Sequence, residues 1–115
     1  MRTFIIIASL ALALTQVELA EGNPNSANAI MPGCRAFLGA EPPRSNMDWF
    51  KEGECVGVLH GLADLMERLC IPSEATQSQV VRVVVNYIDR HPEKMHMPFT
   101  HLAAEALRAA WPCKS

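Results

Sequence analysis

The sequence predicts an all-α domain, a small four-helix bundle stapled by two disulfides. Three observations carry that expectation. Apolar residues recur three and four positions apart in four separate segments, the spacing that lines one face of a helix. Prolines and hydroxyl caps fall between those segments and not within strand-like alternation. Four cysteines follow an N-terminus of export type, which places them where disulfides form.

Residues 1–20 read as a secretory signal peptide. Met1, Arg2 and Thr3 make a short basic start, and residues 4–14 are an apolar run of the length of a signal core. That run falls short of the roughly 20 apolar residues that span a bilayer. Processing is placed near Ala20, with Glu18 standing where a small residue is favoured. Residues 21–29 are polar, rich in Gly, Pro, Asn and Ser, and read as a flexible leader. The helical domain is expected over residues 30–115.

Ile30, Met31, Cys34, Phe37 and Leu38 share a helical face. Proline suits the first turn of a helix and not its interior, so Pro32-Gly33 places the first helix at residues 32–39. Pro42 and Pro43 then make a turn. Ser45 with Asp48 supplies an N-terminal capping signal, and a second helix is expected over residues 47–69. Its stripe is Val58, Leu59, Leu62, Leu65, Met66 and Leu69, which makes it the expected central helix. Gly53, Gly57 and Gly61 lie four apart on it. Each costs about 1 kcal/mol relative to alanine, so a close-packing role is expected: a neighbouring helix, or else a partner, approaches that bare face.

Ile71-Pro72-Ser73 breaks the pattern, and Thr76 with Gln79 caps a third helix. Val80, Val83, Val84, Tyr87 and Ile88 are its buried stripe, widened by Val81 and Val85, which leaves Gln79, Arg82, Asn86, Asp89 and Arg90 on the solvent face. The valines favour strand by propensity, but the caps and spacing favour helix. His91-Pro92 opens a loop to residue 97, where Met95 and Met97 flank His96. Exposed, adaptable methionine there marks a binding edge. Pro98 starts the fourth helix, whose inner face is Phe99, Leu102, Ala103, Ala106, Leu107 and Ala110, and Pro112 stops it beside Cys113.

Removing residues 1–20 takes away Arg2 and Glu18, one charge of each sign, so the net charge stays at −2. A near-neutral domain with no basic stripe does not suit nucleic acid, and no polybasic membrane patch is present. About 95 residues remain, a length at which a hydrophobic core alone gives marginal stability. The four cysteines, Cys34, Cys55, Cys70 and Cys113, allow three pairings. On one helix, Cys55 and Cys70 would stand about 22 Å apart, beyond disulfide reach. Of the remaining two, Cys34–Cys55 with Cys70–Cys113 joins neighbours in an up-and-down bundle and is preferred. Metal binding is not expected, because no Cys-x-x-Cys pair exists and the spacings match no zinc module. His91, His96 and His101 are five apart, off a common helical face, and His60 stands alone. No His-Glu-x-x-His, nucleophile elbow or phosphate loop occurs. The chain is expected to be no enzyme and to hold no cofactor. Trp49 and Trp111 are read as core more than as exposed anchors.

Taken together, Gly53-x-Cys55-x-Gly57-x-x-x-Gly61, Cys70-Ile71-Pro72, Tyr87 through His91-Pro92-Glu93, His96-Met97-Pro98 and Ala106-Leu107 through Trp111-Pro112-Cys113 resemble the Rap/Tai family of type VI secretion immunity proteins. The resemblance runs from Cys34 to Cys113 and departs from the family pattern at Pro32-Gly33. It implies a periplasmic, disulfide-bonded helical protein that binds a peptidoglycan amidase toxin and occludes its active site, often as a homodimer. Contacts of the third helix and a loop are implied, but not residue by residue. The partner-binding candidates Gln79, Arg82, Asn86, Asp89 and Arg90 therefore rest on exposure alone. The alternative is an HdeA-like periplasmic acid-stress chaperone, also small, exported, helical and disulfide-bonded. Two disulfides in place of one would resist the opening such a chaperone needs.

Overall fold

In a computed structural model the described residues are 22–39 and 45–114. The expected signal peptide, Glu21 of the leader and the turn at residues 40–44 lie outside them. Four α-helices follow in order: α1, Ala27–Phe37; α2, Asn46–Leu65; α3, Gln77–Asp89; and α4, Phe99–Ala110. A 3₁₀ turn, Pro92–Lys94, precedes α4. No strand occurs among the described residues, and the two disulfides are Cys34–Cys55 and Cys70–Cys113. Fold class and preferred pairing are as the sequence predicts.

The first helix begins earlier than expected, at Ala27 and not at Pro32, so residues 27–29 belong to it and not to the leader. Its opening donors are all satisfied, which is the condition a buried helix start must meet. The Ser26 amide donates to Asn23 O (2.9 Å), Ala27 N to Met97 O (3.0 Å) and Asn28 N to Met95 O (2.9 Å). Ser26 Oγ accepts from Ala29 N (3.4 Å), a capping bond. Phe99 N returns to Asn25 O (2.8 Å). Residues 25–28 and 95–99 thus form a short backbone clasp. Interior proline costs a helix about 3 kcal/mol. Pro32 is tolerated because this anchoring and the burial of Ala27, Ile30 and Met31 hold α1 from its start.

Gly33 is where α1 crosses α2. A Cβ built there would collide with the Lys51 carbonyl oxygen, so only glycine lets the two backbones meet. One turn on, the buried Cys34–Cys55 bond joins them with Cα atoms 5.3 Å apart. The core itself lies mainly between α1, α3 and α4: Ile30 and Met31; Val81, Val84, Val85 and Ile88; Phe99, Leu102, Ala103, Ala106 and Leu107. At about 1.5–3 kcal/mol for each large side chain removed from water, these three helices hold most of the burial energy.

The second helix is not the central one. It buries only Cys55 and Leu59, and it stops at Leu65, short of residue 69. Leu65, expected in its buried stripe, is 84% exposed. The stripe continues as an irregular connection, residues 66–76, from which Leu69 and Ile71 pack against the core. Cys70 is therefore off the helix, and the distance argument against a Cys55–Cys70 bond loses its premise although the pairing stands. The glycine face also corrects an expectation. A Cβ at Gly53, Gly57 or Gly61 meets nothing within 4 Å, so no neighbour in the described fold approaches there. Beside the glycines Met47, Trp49 and Phe50 are exposed, Phe50 at 67%. Trp49 is thus not a core residue, whereas Trp111 packs against the core.

Gly33→Ala should lower stability by 2 kcal/mol or more, about the scale of overpacking a tight contact. Gly57→Ala should raise it by up to about 1 kcal/mol through helix propensity. Urea unfolding of the oxidised protein reads both, and a destabilising Gly57→Ala would contradict the open face.

Candidate functional site

Helix α3 presents two faces of opposite character. Val81, Val84, Val85 and Ile88 are buried against α1 and α4. Gln79, Arg82, Asn86, Asp89 and Arg90 all stand exposed on the other side. The helix starts cleanly because Thr76 Oγ1 accepts from Gln79 N at 3.1 Å. At 1.5 Å per residue the polar row from Gln79 to Arg90 runs about 16 Å.

The five residues are not equivalent. Asp89 accepts from Arg35 Nη2 of α1 at 2.7 Å, so its carboxylate braces α3 on α1. Asn86 and Arg90 sit with Val83, Tyr87 and Ala106 on a shallow cleft between α3 and α4, about 270 Å³ in volume. Among the described residues Arg82 and Arg90 have no ion-pair partner, which leaves the row cationic on a chain of net charge −2.

The neighbouring loop is firmer than its sequence suggests. Met95 and Met97 are half-buried and pack against the core, and their carbonyls form the clasp with α1. They are not mobile exposed methionines; only His96 between them is exposed. The four histidines do not converge, and no group of three or more metal-ligating side chains occurs among the described residues.

Sequence reasoning missed the residue that holds this corner together, Glu105 on α4. Its Oε2 accepts from the Tyr87 hydroxyl of α3 (3.0 Å) and from Lys94 Nζ of the 3₁₀ turn (3.4 Å). Its Oε1 lies 3.1 Å from His101 Nε2, one turn back on α4. The four-residue spacing of His101 and Glu105 was the one available signal; the Tyr87 and Lys94 contacts are tertiary. The Tyr87 ring in turn tilts against His91, with centroids 4.7 Å apart, and His91 Nδ1 stands 3.2 Å from Glu93 Oε1.

These bonds shift titrations. The Tyr87 hydroxyl, then the charges of Lys94 and His101, hold the Glu105 carboxyl below the ordinary glutamate value, against the opposing effect of burial. Burial, then the bond to Glu105, pushes Tyr87 above the ordinary tyrosine value. Glu93 is lowered by its own backbone amide and by His91. The arrangement can brace a surface.

A family model described as Rap1a immunity proteins matches residues 26–113. The chain belongs to the Rap1a immunity protein family. No curated protein and no solved structure matches it. The matched span opens on Ser26, the cap of α1, and closes on Cys113 of the second disulfide, so both bridges and all of the clasp but Asn25 fall within the family's domain. Membership makes the protein an immunity protein directed against a secreted toxin, with a toxin effector as partner.

A carboxyl whose folded value is depressed stabilises the fold above its unfolded value, about 4.3 for glutamate, and that contribution is lost as pH falls through the folded value. Glu105→Gln should therefore lower the melting temperature at pH 7 and lose this deficit progressively as the pH falls below the ordinary glutamate value. The side chain is 31% exposed, so the deficit is modest. A gap that is unchanged from pH 7 to 3 would show that the Glu105 charge contributes nothing.

Proposed function

We propose that this Rap1a family protein is exported by residues 1–20, acts in the periplasm, and neutralises a type VI-delivered peptidoglycan amidase by seating α3 in its active-site cleft. The exposed polar row on a helix held rigid from beneath is the observation that carries this reading. A protein that competes for a catalytic cleft gains affinity by arriving already ordered, because little conformational freedom is then lost on binding. α3 is packed on one side by four buried residues, braced to α1 through Asp89–Arg35, and pinned at its far end by Glu105. Arg82 and Arg90 give the row a positive character suited to an acidic groove, and His96 at the loop tip extends it. The two disulfides support an oxidising location. No helix of the described residues is long and apolar enough to cross a membrane.

The glycine face of α2 belongs to the same reading. We assign it to a second copy of the chain, the homodimer that the resemblance implies. The exposed features are spaced evenly about Gly57: Gly53 and Gly61 four residues either side, Phe50 seven before and Leu65 eight after. An antiparallel pair of α2 helices crossing at Gly57 would set Gly53 of one against Gly61 of the other. The phenylalanine of each would then lie near Leu65 of the other, an apolar contact at either end of the glycine stretch. Such self-complementarity is what a two-fold interface requires.

Two measurements test these assignments. Calorimetry of the mature protein with the amidase encoded beside its gene should show micromolar or tighter binding. Arg82→Glu and Arg90→Glu should each weaken it at least tenfold, about 1.4 kcal/mol, without change in helical circular dichroism. An undiminished affinity in both variants would remove α3 from the interface. Separately, light scattering should give a dimer mass for the wild type and a monomer mass for Gly57→Arg, at a position where an added Cβ meets nothing within 4 Å. A wild-type monomer at high concentration would remove the α2 assignment.

A further inference from the structure

The two disulfides occupy opposite environments. Cys34 and Cys55 are wholly buried between α1 and α2. Cys70 and Cys113 are both exposed, and neither lies on a helix: Cys70 belongs to the connection 66–76 and Cys113 to the tail after α4. Thiol–disulfide exchange requires a thiolate to approach a sulfur in line with the bond, so access governs which bridge a reductant reaches. Arg68 and Lys114 flank the exposed pair in sequence, and the Arg68 carbonyl lies 3.4 Å from Cys113 Sγ. Cationic neighbours favour a departing thiolate.

The exposed bridge also carries more of the local organisation than its position suggests. The backbone hydrogen bonds shown for the connection are short-range: Met66 N to Leu62 O, Leu69 N to Met66 O and Ala75 N to Pro72 O. The tail beyond α4 is tied by Trp111 N to Leu107 O and by the bridge. Leu69, Ile71 and Ala75 of the connection form one wall of a cleft of about 510 Å³, faced by Leu59, His60 and Val80. Together with the packing of Leu69 and Ile71 against the core, the bridge holds in place one side of an apolar cavity, while the clasp and Cys34–Cys55 lie on other elements.

We propose that Cys70–Cys113 is a thiol–disulfide exchange site for a dithiol reductant, and that opening it loosens residues 66–76 and exposes the cleft while the rest of the fold persists. One thiolate of the reductant attacks one sulfur of the bridge. The S–S bond breaks, a mixed disulfide forms, and the other cysteine leaves as a thiolate and takes up a proton. The second thiol of the reductant then displaces the remaining cysteine. Two electrons and two protons pass to the protein, and the dithiol leaves as a disulfide. On reduction the Cys113 thiol gains a hydrogen and can donate to the Arg68 carbonyl beside it, a bond that the disulfide sulfur, having no hydrogen, cannot make.

The test is graded reduction of the mature protein with dithiothreitol, alkylation of released thiols, and peptide mass spectrometry. Cys70 and Cys113 should be half-labelled at a reductant concentration at least tenfold below that needed for Cys34 and Cys55. In the window between, helical circular dichroism should hold while fluorescence of an anilinonaphthalene sulfonate dye rises several-fold. The Cys70→Ser, Cys113→Ser double variant should show that dye signal without reductant. Opening of both bridges together, or of Cys34–Cys55 first, would overturn the proposal. So would selective labelling with no rise in dye binding. If the double variant fails to fold, the wild-type labelling order decides alone.

Discussion

The crossing of α1 over α2 at Gly33 is the constraint on which the rest of the molecule depends. α2 buries two residues, far too little apolar surface to fix a twenty-residue helix by packing alone. What fixes it is backbone against backbone at Gly33 and Lys51, and the Cys34–Cys55 bond one turn away. The close approach sets the distance between the two helices and the disulfide sets their register. Neither suffices alone: a larger residue at 33 would push α2 outward, and an unlinked α2 would be held by Leu59 and the half-buried Val56, Val58 and Leu62. In a domain of this size, with a marginal core, a covalent tie at the weakest packed element is where it has most effect.

Once α2 is held in this way, the molecule divides its tasks. α1, α3 and α4 share the apolar core, and their polar contacts, Arg35–Asp89 and the Glu105 cluster, brace α3 from both flanks. α2 is freed from core duty and presents Met47, Phe50, Leu65 and three glycines to its surroundings. A surface helix stabilised by propensity would not carry glycine at every fourth position. One retained by a crosslink can, and the cost of about 1 kcal/mol for each glycine is absorbed elsewhere in the fold.

Much of this was legible in the residues, and the misreadings share one cause. Helix number, the caps at Ser45 and Thr76 and the apolar side of α3 follow from local spacing, which the tertiary structure preserves. The start of α1 did not, because Pro32 is a local stop signal overruled by distant carbonyls at Met95 and Met97 that no periodicity reveals. The disulfide pairing stands, but the helical distance that helped to select it does not. The glycine face was expected to meet a neighbouring helix, or else a partner, because spacing reports which residues share a face but not which way the face turns. The apolar residues after Leu65 fitted a helical stripe yet pack from an irregular connection, since burial constrains side chains and not the backbone between them. Glu105 escaped notice for the same reason as the clasp: its Tyr87 and Lys94 partners come from other elements.

The clasp has a bearing on when the domain can form. The opening amides of α1 find their acceptors some seventy positions downstream, at Met95 and Met97, and Asn25 in turn waits for Phe99. During synthesis the opening amides of α1 therefore have no acceptors until residues 95–99 have emerged, and the interior proline keeps the helix from persisting alone. Closure of the clasp is deferred until then. A polypeptide that must be threaded through a narrow translocation pore before acquiring its shape would be served by that delay.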